Sequence, residues 1–201
     1  MAKLTKQPIA NQPIVKHASH VSSTERAALL GQLPITIWLT GLSASGKSTL
    51  AYALERALID AGRASYVLDG DNVRHGLNRN LDFSPSGRTE NIRRIAEVAK
   101  LMNEAGLIVI TAFISPMIAD RNMAKEIIGA HQFSEVYVST PLTACEARDP
   151  KGLYAKARTG ELPDFTGISA IYEPPTAPSL SIDTSSASLQ DNVKRLLLLC
   201  T

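Results

Sequence analysis

A chain of 201 residues is enough for one α/β domain with a sizeable core. Its 44% hydrophobic and 20% charged content lies in the globular range, and a net charge of +2, from 21 basic and 19 acidic residues, argues against a nucleic-acid or membrane partner. The two cysteines, Cys145 and Cys200, show neither metal spacing nor a disulfide framework, which fits a reducing compartment.

Residues 1–22 mix Lys, His, Gln, Pro and Ser without periodicity and read as a flexible tail. Their first residues lead into no apolar run, so no secretory signal is expected and the protein reads as cytoplasmic. Residues 23–201 read as one domain. Ser23–Leu30 is expected as a short capped helix near the sheet. The run Ile35-Thr36-Ile37-Trp38-Leu39-Thr40 is apolar and β-favouring, a first strand.

Next comes Gly41-Leu42-Ser43-Ala44-Ser45-Gly46-Lys47-Ser48, which reads G-x-x-x-x-G-K-S, and then a helical run from Thr49 to Leu58. Strand, glycine loop and helix are the context that makes this a phosphate-binding P-loop. Backbone N–H groups of such a loop turn inward around phosphate oxygens, and the helix N-terminus adds its positive dipole end. Lys47 is expected on the β- and γ-phosphates, Ser48 on Mg²⁺, and Thr49 just beyond. A nucleoside triphosphate is therefore the expected ligand.

Ser65-Tyr66-Val67-Leu68 reads as strand two, ending in Asp69-Gly70-Asp71. Helical turns are expected over 72–79. Asp71 is placed to orient an acceptor hydroxyl and take its proton, and also to cap those turns. Asp69 is expected as structural or in an outer position around Mg²⁺. Arg74 follows Asp71 by three residues and can clamp the same anion.

A long helix is expected from Pro85 to Gly106. Ile92, Ile95, Ala96, Ala99 and Met102 form its apolar stripe. Glu90–Arg94, Arg93–Glu97 and Lys100–Glu104 pair at i, i+4 on the solvated face. Arg88 and Asn91 lie on the inward face, and Arg88 has no acid three or four residues away. An inward arginine without a carboxylate calls for an anionic ligand such as a phosphate or sulfate. Phe83 and Phe165 stand in loops of a chain with only 4 Phe, 5 Tyr and 1 Trp. Two such rings can sandwich a base.

Leu107–Phe113 reads as strand three, 116–128 as a helix, Glu135–Val138 as strand four, and Ser179–Ile182 as strand five before a last helix at 188–199. Residues 149–180 are rich in Gly and Pro, with a short helical piece at 153–159. Arg148 and Lys151 enter this stretch, and about 149–170 is expected to be a mobile lid. Strands alternating with helices imply a three-layer P-loop kinase fold around a central parallel five-stranded sheet. Ligands then sit at the carboxyl ends of the strands. Asp164-Phe165-Thr166-Gly167 fits D-x-x-G, but it follows no strand and no N-K-x-D occurs, which argues against a GTP switch.

The strings Gly41–Thr49, Leu68–Leu77, Phe83-Ser84 and Arg88–Arg94 together resemble the adenylylsulfate (APS) kinase family. So do Thr111-Ala112-Phe113-Ile114-Ser115-Pro116, Arg148–Tyr154 and Asp164–Ile168, which follow in the family's order. The resemblance covers nearly everything from about residue 20 onward. It implies ATP and adenosine 5′-phosphosulfate as substrates, with Mg²⁺, and a homodimer. It implies that Arg74, Arg88 and Asn91 hold APS, with Phe83 and Phe165 around its adenine. Lys151, Gly152 and Leu153 would help close the lid, and Arg148 would lie near ATP. It also nominates Ser115 as a phosphoserine intermediate. The residues themselves favour direct transfer, because no His or acid lies within Thr111–Met117 to activate a serine. Ile114 and Ser115 then line the acceptor pocket.

Two positions depart from the family's pattern. Ala44 stands where many members have glycine and loses glycine's freedom of φ. Met117-Ile118-Ala119 replaces a commonly basic stretch. The competing readings are a P-loop kinase for another small anionic acceptor and a non-catalytic nucleotide-binding regulator. Intact Lys47, Ser48 and Asp71 argue against the regulator.

Overall fold

The computed structural model describes residue 15 and residues 17–201. Most of the expected tail, residues 1–14 and 16, lies outside the described residues.

Five strands, β1 (Thr36–Thr40), β2 (Ser65–Asp69), β3 (Ile108–Ala112), β4 (Phe133–Val138) and β5 (Leu180–Ile182), form one sheet in the order β2-β3-β1-β4-β5. Every pairing is parallel, with Thr36 of β1 level with Val109 of β3 and Phe133 of β4. All residues of β1 and β3 are buried, as the continuous apolar runs of a covered parallel sheet require.

Helices α2 (Lys47–Asp60) and α8 (Leu189–Leu197) cover one face. Leu50, Leu54 and Leu58 of α2 point into a core with Ile37, Leu39, Ile108 and Ile110. Each such side chain stabilises the fold by about 1.5–3 kcal/mol through burial. Helices α4 (Pro85–Glu104) and α5 (Ile118–Ile128) cover the other face. There Ile92, Ile95, Ala96 and Ala99 pack on Trp38 and Phe113, and Trp38 lies 6.2 Å from Phe113 and 5.6 Å from Phe133, ring to ring.

Helix α1 (Ser23–Leu30) is capped by Ser22 in a reciprocal box with Glu25 and stopped by the left-handed Gly31. It packs on the end of α4 rather than on the sheet: Arg26 donates to the Glu104 carbonyl, and Leu30 crowds Gly106. On α4 the Glu90–Arg94 and Arg93–Glu97 pairs form, and Arg93 also reaches Glu90. Lys100–Glu104 is absent from the ion pairs among the described residues, which suits two long exposed side chains gaining little from contact.

Two elements differ from expectation. Helix α3 spans Gly70–His75, two residues earlier than the expected turns, because Asp69 at the end of β2 caps it by accepting from the Asp71 N–H at 3.0 Å. A helix α6 (Leu142–Arg148) fills a stretch to which the sequence assigned no element. Its one fully buried residue is Cys145, too narrow a stripe to show helical period. With α7 (Leu153–Arg158) it forms a small separate core of Cys145, Tyr154, Ala157 and Phe165. The expected lid region therefore has its own apolar anchor.

Candidate active site

The carboxyl ends of the strands open into one cavity of about 830 Å³. Of the candidate site residues, all but Gly41, Ser45 and Gly152 line it.

The P-loop forms one wall. Gly46 has φ 102° and Gly41 φ 153°, and a Cβ on Gly41 would stand 2.5 Å from the Val138 carbonyl oxygen. Gly41 thus lets the loop lie close against β4. Ser45 is buried behind the loop, where its carbonyl accepts from Thr140 and Thr184. Ala44 has φ 56°, in the left-handed region that costs a residue with a Cβ. The departure from glycine noted in the sequence therefore falls on a strained position.

Lys47 is buried, and its Nζ donates to the Gly41 and Leu42 carbonyls at 3.0 and 2.6 Å. Burial pulls its pKa down to about 8. Ser48 Oγ donates to Asp69 Oδ2 at 2.6 Å. Asp69 thus serves two neighbours, capping α3 and holding the Ser48 hydroxyl, and the capping expected of Asp71 falls to Asp69 instead. Asp71 is free for another role. It is exposed on the cavity wall, and Lys151 of the lid region makes an ion pair with it.

The opposite wall is built from side chains. Arg88 leaves the first turn of α4, whose start is fixed by Ser84 accepting from Gly87 N and by Pro85 at N1. Asp82 packs so closely there that a Cβ on residue 87 would collide with it. Arg88 donates to the Phe83 carbonyl, the Asp164 carbonyl and Thr166 Oγ1 at 2.8, 2.9 and 3.1 Å. Arg74 donates to the Leu81 carbonyl and lies 4.2 Å over the Phe83 ring. Neither arginine forms an ion pair among the described residues. Burial, and then the charge of Arg88, push the Arg74 guanidinium below its ordinary value. Two adjacent guanidiniums without a carboxylate on either are chemically suited to an anion. Asn91 is buried and accepts from Asn78 Nδ2 at 3.0 Å.

The two phenylalanines differ. Phe83 is 64% exposed and presents its ring, while Phe165 is 8% exposed and packs edge-on against Tyr154 at 5.0 Å. Both line the cavity, but Phe165 is first an anchor of the small α6–α7 core. Ser115 is buried at φ 38°; its Oγ accepts from Trp38 Nε1 at 3.2 Å, and Thr40 Oγ1 donates to the Ile114 carbonyl at 2.7 Å.

Arg148 reaches the P-loop from α6, donating to Thr184 Oγ1 at 2.7 Å and weakly to the Ala44 carbonyl. Thr184, Ala187, Leu189 and Asn192 extend the cavity on this side. The sequence reading did not single them out. Their one signal was position, just past the carboxyl end of a short strand. Gly152 stands outside the cavity as the left-handed cap of α7. Among the described residues no helix is long and apolar enough to cross a membrane.

Comparison with known proteins gives a consistent result. A family model described as adenylylsulphate kinase matches residues 33–183. The chain is 59% identical over 184 residues to an adenylyl-sulfate kinase of Shewanella pealeana, covering 92% of this chain and 90% of that one. It is 56% identical over 188 residues to an adenylyl-sulfate kinase of Shewanella denitrificans, covering 94% and 92%. Among solved structures it is similar to the Mycobacterium tuberculosis APS kinase in complex with AMPPNP and APS, with a TM-score of 0.81 and 45% identity, covering 84% of this chain and 98% of that one.

Proposed function

The chain belongs to the adenylylsulphate kinase family, and on that premise we propose how its residues carry the family's reaction. The enzyme is an ATP-dependent phosphotransferase with an alcohol acceptor. It moves the γ-phosphoryl group of ATP to the 3′-hydroxyl of adenosine 5′-phosphosulfate, giving 3′-phosphoadenosine 5′-phosphosulfate and ADP in sulfate assimilation. One observation carries the acceptor side: a single cavity joins the P-loop to Arg74 and Arg88, two neighbouring guanidiniums without carboxylate partners, beside the exposed Phe83 ring.

In this reading the loop from Ser43 to Thr49 binds the ATP phosphates, with Arg148 over the donor nucleotide. Lys47 neutralises charge on the transferred group. Asp71 orients the acceptor hydroxyl and receives its proton as the bond to phosphorus forms. Arg74 and Arg88 hold the phosphosulfate anion, Asn91 supports the same wall, and Phe83 stacks on the acceptor's base with Phe165 below it. Ile114 and Ser115 close the pocket at the end of β3. Lys151 and Leu153 bring the mobile lid over the site through Asp71, with Gly152 as its turn.

Ser48 Oγ and Asp69 Oδ2 form a pair of hard oxygens at the start of α2, a donor set that fits Mg²⁺. Ser48 would hold the ion, with Asp69 behind it. Bound with ATP, Mg²⁺ supplies charge neutralisation on the phosphate oxygens. The cytoplasm and a homodimer complete the reading; the two buried free cysteines suit a reducing compartment.

The direct test is ADP release measured with APS and, separately, with gluconate, shikimate and a nucleoside monophosphate. APS alone should support turnover. Turnover with a rival acceptor and none with APS would overturn the assignment. Light scattering checks the dimer.

A further inference from the structure

Behind the acceptor wall lies an arginine that the reading above does not use. Arg121 sits on α5 and is 2% exposed, facing away from the cavity. Its guanidinium spreads over three segments. Nη1 donates to the Ser115 carbonyl at 2.8 Å, Nη2 to the Glu173 carbonyl at 2.7 Å, and Nε to Glu135 Oε1 of β4 at 2.6 Å. The turn it grips is unusual. Ser115 is a non-glycine residue at φ 38°, and Met117 offers no side-chain cap to α5.

The missing cap comes from the strap that Arg121 also holds. Glu173 Oε2 accepts from the Ile118 N–H at 2.7 Å, and the Glu173 N–H donates to the Pro116 carbonyl at 2.9 Å. Tyr172 lies under the Arg121 guanidinium and shares a hydrogen bond with Thr40 Oγ1, which itself donates to the Ile114 carbonyl. Residues 114–118 are thus held from behind by one planar, five-donor group and the strap it fixes.

We propose that Arg121 is a positioning residue for the acceptor: it holds the Ile114–Ser115 wall in the strained form that the acceptor nucleotide meets. The inference rests on the reading of Ile114 and Ser115 as acceptor wall. The donor wall has supports of its own, with Thr140 and Thr184 holding the Ser45 carbonyl. It meets the 114–115 turn only at its start, through Thr40 and a long Gly41 N–H contact of 3.5 Å to the Ile114 carbonyl, so ATP should feel the loss of Arg121 less than the acceptor does. A lysine keeps the charge but cannot serve three acceptors in one plane.

The test compares Arg121→Lys and Glu135→Gln with the unaltered enzyme. Steady-state kinetics vary APS and ATP in turn, and hydrogen exchange by mass spectrometry follows peptides over 114–118 and over 41–48. Arg121→Lys should raise the KM for APS on the order of tenfold, and the KM for ATP by less than about twofold, as expected for misplacement of one substrate alone. Exchange should quicken over 114–118 and stay unchanged over the P-loop. Glu135→Gln keeps both carbonyl bonds and should shift the APS KM in the same direction but less, which preserves the test if the lysine variant does not fold. Equal rises in both KM values, or an unchanged APS KM in the folded variants, would overturn the proposal. If the unaltered enzyme shows no turnover with APS, the proposed function fails by itself. The positioning role is then decided by exchange: unchanged protection over 114–118 in both variants would overturn it.

Discussion

The two walls of the cavity are made of different material. In the proposed reading the donor wall is mostly main chain: a continuous loop whose Gly41, Ala44 and Gly46 take positive φ, ending in Lys47 at the start of α2. The acceptor wall is mostly side chains, gathered from α3, the 81–84 connection, α4, the 113–116 turn and the 162–166 loop. A main-chain site binds what all nucleoside triphosphates share, and a side-chain site can be shaped to one acceptor. Substitutions on the donor wall should therefore stop all phosphoryl transfer. Those on the acceptor wall should act on APS and spare ATP.

The largest expected effect tests the first half of that contrast. Lys47→Ala should lower turnover by at least about 10³-fold, since it removes a preorganised charge from a buried site. The fold should persist, because the change also removes a cation held against its desolvation cost. Coupled ADP release and a thermal melt check both points. A folded variant with normal ADP release would place the triphosphate elsewhere.

Asp71 belongs to neither wall in this sense, and its substitution asks where the walls meet. Asp71→Asn should slow transfer on the order of 10²-fold with ATP affinity retained. The exposed ion pair with Lys151 contributes little to stability by itself, so the melt should hardly move. A loss below tenfold would leave Asp71 as the anchor of the lid lysine and nothing more.

Arg88→Ala tests the second half. Loss of one charge-assisted clamp should weaken APS by roughly ten- to a hundredfold. ATP, measured by calorimetry on the same protein, should bind as before. Equal losses for both ligands would mean that Arg88 organises the whole cavity through Asp164 and Thr166, and the distinction between the walls would fail.

The donor wall should also carry a pH signature, through Lys47. Burial lowers the Lys47 pKa from 10.5 to about 8. Between those values the unfolded chain binds more protons than the folded one, so this group makes the ligand-free protein more stable as pH rises from about 8 toward 10.5. The triphosphate's negative charge favours the charged lysine, which reverses the shift. ATP binding at pH 8 should therefore take up about half a proton, read as a dependence of the observed enthalpy on buffer ionisation. No uptake at pH 8 would show that Lys47 is already fully charged before ATP arrives.

The same contrast explains what could be read from the sequence. The donor wall is local, eight consecutive residues between a strand and a helix, so spacing alone announced it. Even its oddity was legible, since Ala44 in a glycine position does sit at positive φ. The acceptor wall was legible only as types: an arginine without a local acid, an aromatic in a loop, an acid past a strand. Which of these meet depends on packing across long separations, as Arg88 with Asp164 and Thr166 shows. Asp69 and Asp71 were both seen, but the cap expected of Asp71 is supplied by Asp69, because a side chain ending a strand reaches the following N–H groups first. Arg121 gave no signal, for its partners lie 6, 14 and 52 residues away.

The smallest expected effect concerns Ser115, which the family resemblance nominates as a covalent phosphate carrier. A serine nucleophile needs a base to take its proton. Ser115 Oγ instead accepts from Trp38 Nε1 and turns its own hydrogen toward the Phe113 carbonyl at a long 3.5 Å. No histidine or carboxylate hydrogen-bonds to it among the described residues. Asp71, which lines the same cavity from the end of a different strand, serves the acceptor hydroxyl directly in the proposed reading. A covalent route would ask the γ-phosphoryl group to meet two acceptors in turn, one of them buried. Ser115→Ala should therefore lower turnover by no more than about fivefold, the equivalent of about 1 kcal/mol for one lost hydrogen bond. It should lower the melting temperature more clearly, because the buried Trp38 N–H loses its acceptor. A chiral γ-phosphate should emerge with inverted configuration. Net retention, or a phosphoenzyme consumed by APS as fast as turnover, would make Ser115 the nucleophile and move the chemistry from the space between the walls onto the acceptor wall itself.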